Sequence, residues 1–148
     1  MFKFSKSSIK NMEGVHPDLQ LIFKTALAVS PIDFGVPSTG GVRTAEAQHE
    51  LFLKGASKCD GYNKLSNHQL QDGQEFGKAI DVYAFVNGRA SWDKKHLGIV
   101  AGAILSVAEI LKKEGKISSS IVWGGTFGRN GKNLHGWDFP HYEIGEVK

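Results

Sequence analysis

The sequence predicts an α+β domain in which helices pack on a small, mainly antiparallel sheet. Apolar residues recur at helical spacing over Pro17 to Val29 and again over Lys94 to Lys113. Short β-prone runs lie between and after these helices, so that the two kinds of element are mixed along the chain. The 148 residues fit one domain, expected to span residues 1–148.

Pro17 suits a first helical position, and Leu19, Ile22, Ala26 and Val29 then recur on one face. Ser30-Pro31 ends that helix, and Ile32 to Val36 reads as a short strand. Gly40-Gly41 marks a tight turn. Thr44 caps a helix over about residues 45 to 54, with Glu46 in its first turn. A polar loop follows, from Gly55 to Glu75. Phe76 to Val86 is expected as one strand, closed by the Asn87-Gly88 turn. Ser91 or Asp93 caps the longest helix, whose inner face carries Leu97, Val100, Ile104, Ala108 and Leu111 and whose end is marked by Gly115. Ile117 to Trp123 and Tyr142 to Val147 complete the strands.

Composition narrows the function classes. With one cysteine, Cys59, no internal disulfide can form, so the fold must hold in a reducing compartment. The net charge of +3 favours anionic partners, yet Lys and Arg are scattered and no nucleic-acid recognition signature appears. No run approaches the ~18 apolar residues of a membrane span, and no signal-peptide pattern follows Met1. The expected product is a monomer made in the cytoplasm without stable membrane insertion.

Six histidines invite a search for a metal site. His16, His49 and His96 fall at or within helices and read as helix-end or surface residues. His68, in Ser66-Asn67-His68, lies in the polar loop before a strand that carries Asp81 between Ile80 and Val82. A half-buried carboxylate is costly unless paired or bound to metal, though a water-facing edge position explains Asp81 equally well on pattern alone. Asp138-Phe139-Pro140-His141 enters the last strand. Pro140 biases Phe139 toward extended geometry, so that Asp138 and His141 can approach one point, one binding metal and the other handling a proton. Two histidines and an aspartate suit zinc. Three protein ligands leave a fourth position for water, whose pKa zinc lowers to about 7. His-Glu-x-x-His and Gly-x-Ser-x-Gly are absent, and the Gly124-Gly125 and Gly128 glycines are too loosely arranged for a phosphate loop.

Four segments in order, Gly41-Val42-Arg43-Thr44, Ser66-Asn67-His68, Gly77-Lys78-Ala79-Ile80-Asp81 and Asp138-Phe139-Pro140-His141, resemble the zinc D-alanyl-D-alanine carboxypeptidases. They are still more similar to the phage L-alanyl-D-glutamate endopeptidases, the endolysins. The opening Phe2-Lys3-Phe4-Ser5 and the segment Gly14-Val15-His16-Pro17 point to the same branch. The resemblance implies a hedgehog/D-Ala-D-Ala peptidase-like α+β fold and a Zn²⁺ ion held by His68, Asp81 and His141. It implies Asp138 as general base, Arg43 as a substrate-holding or oxyanion-stabilising residue, and Ser66 as a substrate-orienting one. The implied substrate is bacterial peptidoglycan, cut in its stem peptide at the L-alanyl-D-glutamate bond after release from the host cytoplasm.

One departure concerns His68 and Asp81, which stand further apart than in the family's His-x-x-Gly-x-Ala-x-Asp pattern. Gln69 to Glu75 reads as an insertion. Longer loops cost only about 0.6 kcal/mol per doubling of length, so His68 is expected to return to the metal. His135 is an alternative ligand. A D-alanyl-D-alanine carboxypeptidase and an inactive wall-binding module are the competing readings.

Overall fold

The computed structural model describes residues 1–127 and 136–145. Its helices are α1 (Lys6–Asn11), α2 (Pro17–Val29), α3 (Ala45–Leu53) and α4 (Lys94–Lys113). Its strands are β1 (Asp33–Gly35), β2 (Ala79–Asp81), β3 (Tyr83–Val86), β4 (Arg89–Ser91), β5 (Ile121–Trp123) and β6 (His141–Ile144). The strands form two antiparallel three-stranded sheets, in the orders β1-β3-β4 and β2-β6-β5. The α+β class is as expected, with the small sheet divided in two.

Helices α2 and α4 pack on each other and supply most of the core. All five residues expected on the inner face of α4 are buried. On α2, Leu19, Ile22, Phe23, Ala26 and Leu27 are buried, whereas Val29, the last residue of the helix, faces solvent. Asp93 caps α4 by accepting from the Lys95 N–H at 2.8 Å, and Gly115 takes the left-handed conformation just past its end. Asn87 and Gly88 both have positive φ, as a two-residue hairpin turn between β3 and β4 requires.

Two expectations need correction. The run from Phe76 to Val86 is not one strand. It breaks at Val82, whose N–H bonds the Pro140 carbonyl at 3.0 Å; β2 before it pairs with β6, and β3 after it pairs with β1. An apolar run can serve two sheets in succession, and periodicity does not reveal the change of partner. Likewise only Ile121–Trp123 of the expected Ile117–Trp123 strand pairs, because Ser118 and Ser119 turn instead to the Asp18 carboxylate. The end of the expected Tyr142–Val147 strand lies outside the described residues.

Helix α1 has no counterpart in the sequence reading. Ser5 caps it, and Ser8 and Asn11 project from it to the backbone N–H and carbonyl of Val36 at 3.1 and 2.9 Å. Six residues are too few to show periodicity, and long-range bonds hold the helix in place. No helix among the described residues is long and apolar enough to cross a membrane.

Candidate metal centre

The site is built around Asp81. The β2·β6 register sets Asp81 directly opposite His141, so the ladder itself brings two candidate ligands together. The Gly40-Gly41 turn packs against the same point, where the Asp81 N–H bonds the Gly40 carbonyl at 2.8 Å. A side chain at Gly41 would collide with the Asn11 carbonyl, so only glycine lets this turn approach so closely. His68 arrives from the long loop and is pinned twice. Its Nδ1 donates to the Gly41 carbonyl at 2.9 Å, and its own carbonyl accepts from the Arg43 N–H at 2.9 Å.

His68 Nε2 lies 3.2 Å from Asp81 Oδ1 and 3.2 Å from His141 Nδ1, and His141 Nδ1 lies 3.0 Å from Asp81 Oδ1. These three atoms form a nearly equilateral triangle, the group among the described residues able to hold a metal ion. Ligand atoms around tetrahedral zinc stand roughly 3.3 Å apart, given bonds of about 2.0–2.1 Å. The donor chemistry fits as well. A carbonyl only accepts, so the proton of His68 sits on Nδ1 and leaves the Nε2 lone pair facing inward. His141 donates from Nε2 to Glu143 Oε1 at 2.9 Å, which turns its Nδ1 lone pair to the same centre. The outer oxygen of Asp81 takes the Arg43 guanidinium at 2.9 Å.

The electrostatics follow from this packing. Burial alone would raise the Asp81 carboxyl, yet His68 and His141 hold it well below its ordinary range. Burial works against a charged His141, but its bonds to Asp81 and Glu143 push it up to about 10, so that Nδ1 must release a proton before its lone pair can bind a metal ion. Asp138 stands apart from the triangle and lines the same cavity. Burial raises its carboxyl above the ordinary value, against the pull of His141.

Asp138 and His141 are joined by a turn, not by the expected extended passage. The His141 N–H bonds the Asp138 carbonyl at 3.1 Å, and Trp123 Nε1 donates to the Phe139 carbonyl at 2.7 Å. Gly124 permits the turn, because a side chain there would strike the Asp138 carbonyl. Phe139 and Trp123 pack edge-on and so buttress the turn.

Arg43 lines the cavity with its charge already engaged. Nη2 bonds Asp81, Nη1 bonds Gln48 Oε1 at 3.1 Å and Nε bonds the Thr39 carbonyl at 2.7 Å. One N–H remains on each terminal nitrogen. Ser66 is buried, and its Oγ accepts from the His68 N–H at 3.1 Å. It therefore shapes the ligand loop from the cavity wall. His16 caps α2, His49 bonds the Asp60 carbonyl and His96 bonds Ser91, as expected of helix-end and surface residues. His135 lies outside the described residues.

Three residues with parts to play escaped the sequence reading. Gln48 is fully buried and ties Arg43 to Ser57 Oγ and the Cys59 carbonyl. Glu143 orients His141 and takes a bond from Asn67 Nδ2 at 2.7 Å, linking β6 to the loop of His68. Spacing gave one usable hint: Glu143 stands two residues beyond His141, on the same face of the strand.

The family model "Phage L-alanyl-D-glutamate peptidase" matches residues 1–144. The chain belongs to the phage L-alanyl-D-glutamate peptidase family. A relative in this family, the L-alanyl-D-glutamate peptidase of Escherichia phage T5, is 34% identical over 92 residues. That match takes in 62% of this chain and spans 61% of the length of the T5 protein. Among solved structures, the Serratia marcescens L-Ala D-Glu endopeptidase ChiX superposes with a TM-score of 0.69 at 28% identity. That superposition covers 97% of this chain and 90% of ChiX.

Proposed function

We propose that this phage-peptidase family member is a zinc-dependent endopeptidase, a single peptidase domain that hydrolyses the L-alanyl-D-glutamate bond of peptidoglycan stem peptides. The observation that carries the reading is the triangle of His68 Nε2, Asp81 Oδ1 and His141 Nδ1, each side chain held by a hydrogen bond to its other polar atom.

In this reading those three residues would hold Zn²⁺, which would supply Lewis-acid polarisation and lower the pKa of water to about 7. Asp138 accepts the proton of the attacking water and returns it to the departing amine. A carboxyl raised by burial suits that exchange, because proton transfer is most efficient when the pKa approaches the working pH. Arg43 fixes Asp81 and keeps two N–H groups for a substrate carbonyl or the negative charge that develops on it. Ser66 holds the backbone of His68 and borders the substrate.

The test is digestion of purified cell wall with mass spectrometry of the products. The expected protein carries about one zinc per chain and releases new amino groups, with glutamate at the new N-terminus. New reducing sugars, or free D-alanine alone, would overturn the assignment. Asp138→Ala should keep the zinc and lose about 10²–10⁴ in kcat.

A further inference from the structure

The cavity that holds the ligand triangle does not end at Asp138. It has a volume of about 360 Å³, and a second cavity of about 500 Å³ shares Ala56, Ser57 and Asp138 with it. The two cavities adjoin along Ala56, Ser57 and Asp138, and their remaining walls differ. The first arm carries Leu51, Leu65 and the ligands. The second is walled by Gly55, Lys58 and Trp137. Trp137 is 70% exposed, and its ring leans on Phe127 with centroids 5.6 Å apart. A large, supported aromatic face open to a groove beside a cation is suited to an elongated anionic ligand.

Accepting the peptidase reading above, the position of Asp138 orients the substrate. The proton leaves Asp138 for the nitrogen of the broken amide, so that nitrogen must lie against Asp138. The acyl half then occupies the arm with the ligands, where Leu51 and Leu65 suit a small methyl side chain. The amine half runs into the second arm. A glutamate joined onward through one of its two carboxyls keeps the other one free, so the amine half carries a carboxylate close to the cut. The Arg43 charge is already paired with Asp81, whereas Lys58 stands on the wall of the second arm.

We infer that the Lys58–Trp137 arm is the subsite for the amine-side half of the stem peptide, Lys58 reading the free carboxylate of its glutamate and Trp137 packing on its aliphatic chain. Lys58 is then a specificity residue that distinguishes a glutamate from the same residue amidated at that carboxyl.

The experiment compares two synthetic stem peptides, one with the free carboxylate and one with its primary amide, using the zinc-loaded full chain. The parent should favour the carboxylate peptide by about three- to tenfold in kcat/KM, mainly through KM. Lys58→Met should level the two substrates, Lys58→Glu should reverse the order, and Lys58→Arg should restore the preference. Trp137→Ala should raise KM for both peptides alike. A preference that survives Lys58→Met, with both peptides still cut at the expected bond, would overturn the subsite alone. Failure of the parent to cut either peptide would overturn the peptidase reading and the subsite with it.

Discussion

Two of the three candidate ligands come from a sheet and one from a loop, and they are held by different physics. Asp81 and His141 face each other across the β2·β6 ladder, with β6 in the middle of its sheet. Backbone pairing on both sides of β6 fixes their separation before any side chain chooses a rotamer. His68 stands on a loop that runs from Gly55 to Glu75 without helix or strand. Its place is set by discrete polar contacts: Gln69 accepts from the Ser66 N–H and donates to the Gly61 carbonyl, and Asp60 accepts from three backbone N–H groups. Those bonds hold the Asp60 carboxyl down at about 2. A ladder distributes its hold over many backbone groups, whereas a loop depends on a few side chains that substitution can remove one at a time.

The largest effect is expected on the ladder side. Asp81→Ala removes the carboxylate that neutralises Arg43 and joins both histidines, so unfolding should become easier by about 3–5 kcal/mol. Denaturant titration of the metal-free chain measures this, and an unchanged midpoint would show that the network is not structural. Next comes the bridge between the two regions. Glu143→Gln keeps an acceptor for His141 and loses the charge, so zinc affinity should fall about 10–100-fold, or about 1.4–2.7 kcal/mol. Competition with a chromophoric chelator reads that directly. On the loop side, Gln69→Ala strands the Ser66 N–H and the Gly61 carbonyl and should cost about 1–2 kcal/mol. Its activity should recover in excess zinc, because only the presentation of His68 has loosened. If excess zinc restores nothing, the loop does more than deliver a ligand.

The smallest effect concerns Asp138, and its sign is fixed by linkage. Burial raises this carboxyl in the folded chain, so the folded state binds its proton more tightly than the unfolded state does. The ionised form therefore costs stability at neutral pH, and the cost fades as pH falls through the folded-state pKa. Asp138→Asn should raise the Tm of the metal-free chain at pH 7, by an amount that shrinks toward pH 4, while lowering kcat by about 10²–10⁴. A loss of Tm at pH 7 would mean that Asp138 is a structural partner of the surrounding cations.

Short-range physics is what the sequence could express. Helix α4 was legible from its cap, its spacing and its closing glycine, and the β3–β4 hairpin from Asn87-Gly88. The four motifs named the residues of the candidate site because each is local in sequence. Helix α1 was not legible, since its hold on Val36 spans the gap to β1. Nor was the change of sheets at Val82, where one apolar run meets two sets of partners.

By itself, then, the sequence determined which side chains are candidates for the chemistry and where the long helices lie, because composition, spacing and capping act within a few residues. Only the tertiary structure decided that Asp81 and His141 stand in register, that His68 reaches them across the long loop, and that Gln48, Asn67 and Glu143 support them. Those outcomes rest on hydrogen bonds between residues far apart in the chain, whose partners exist only once the backbone has closed.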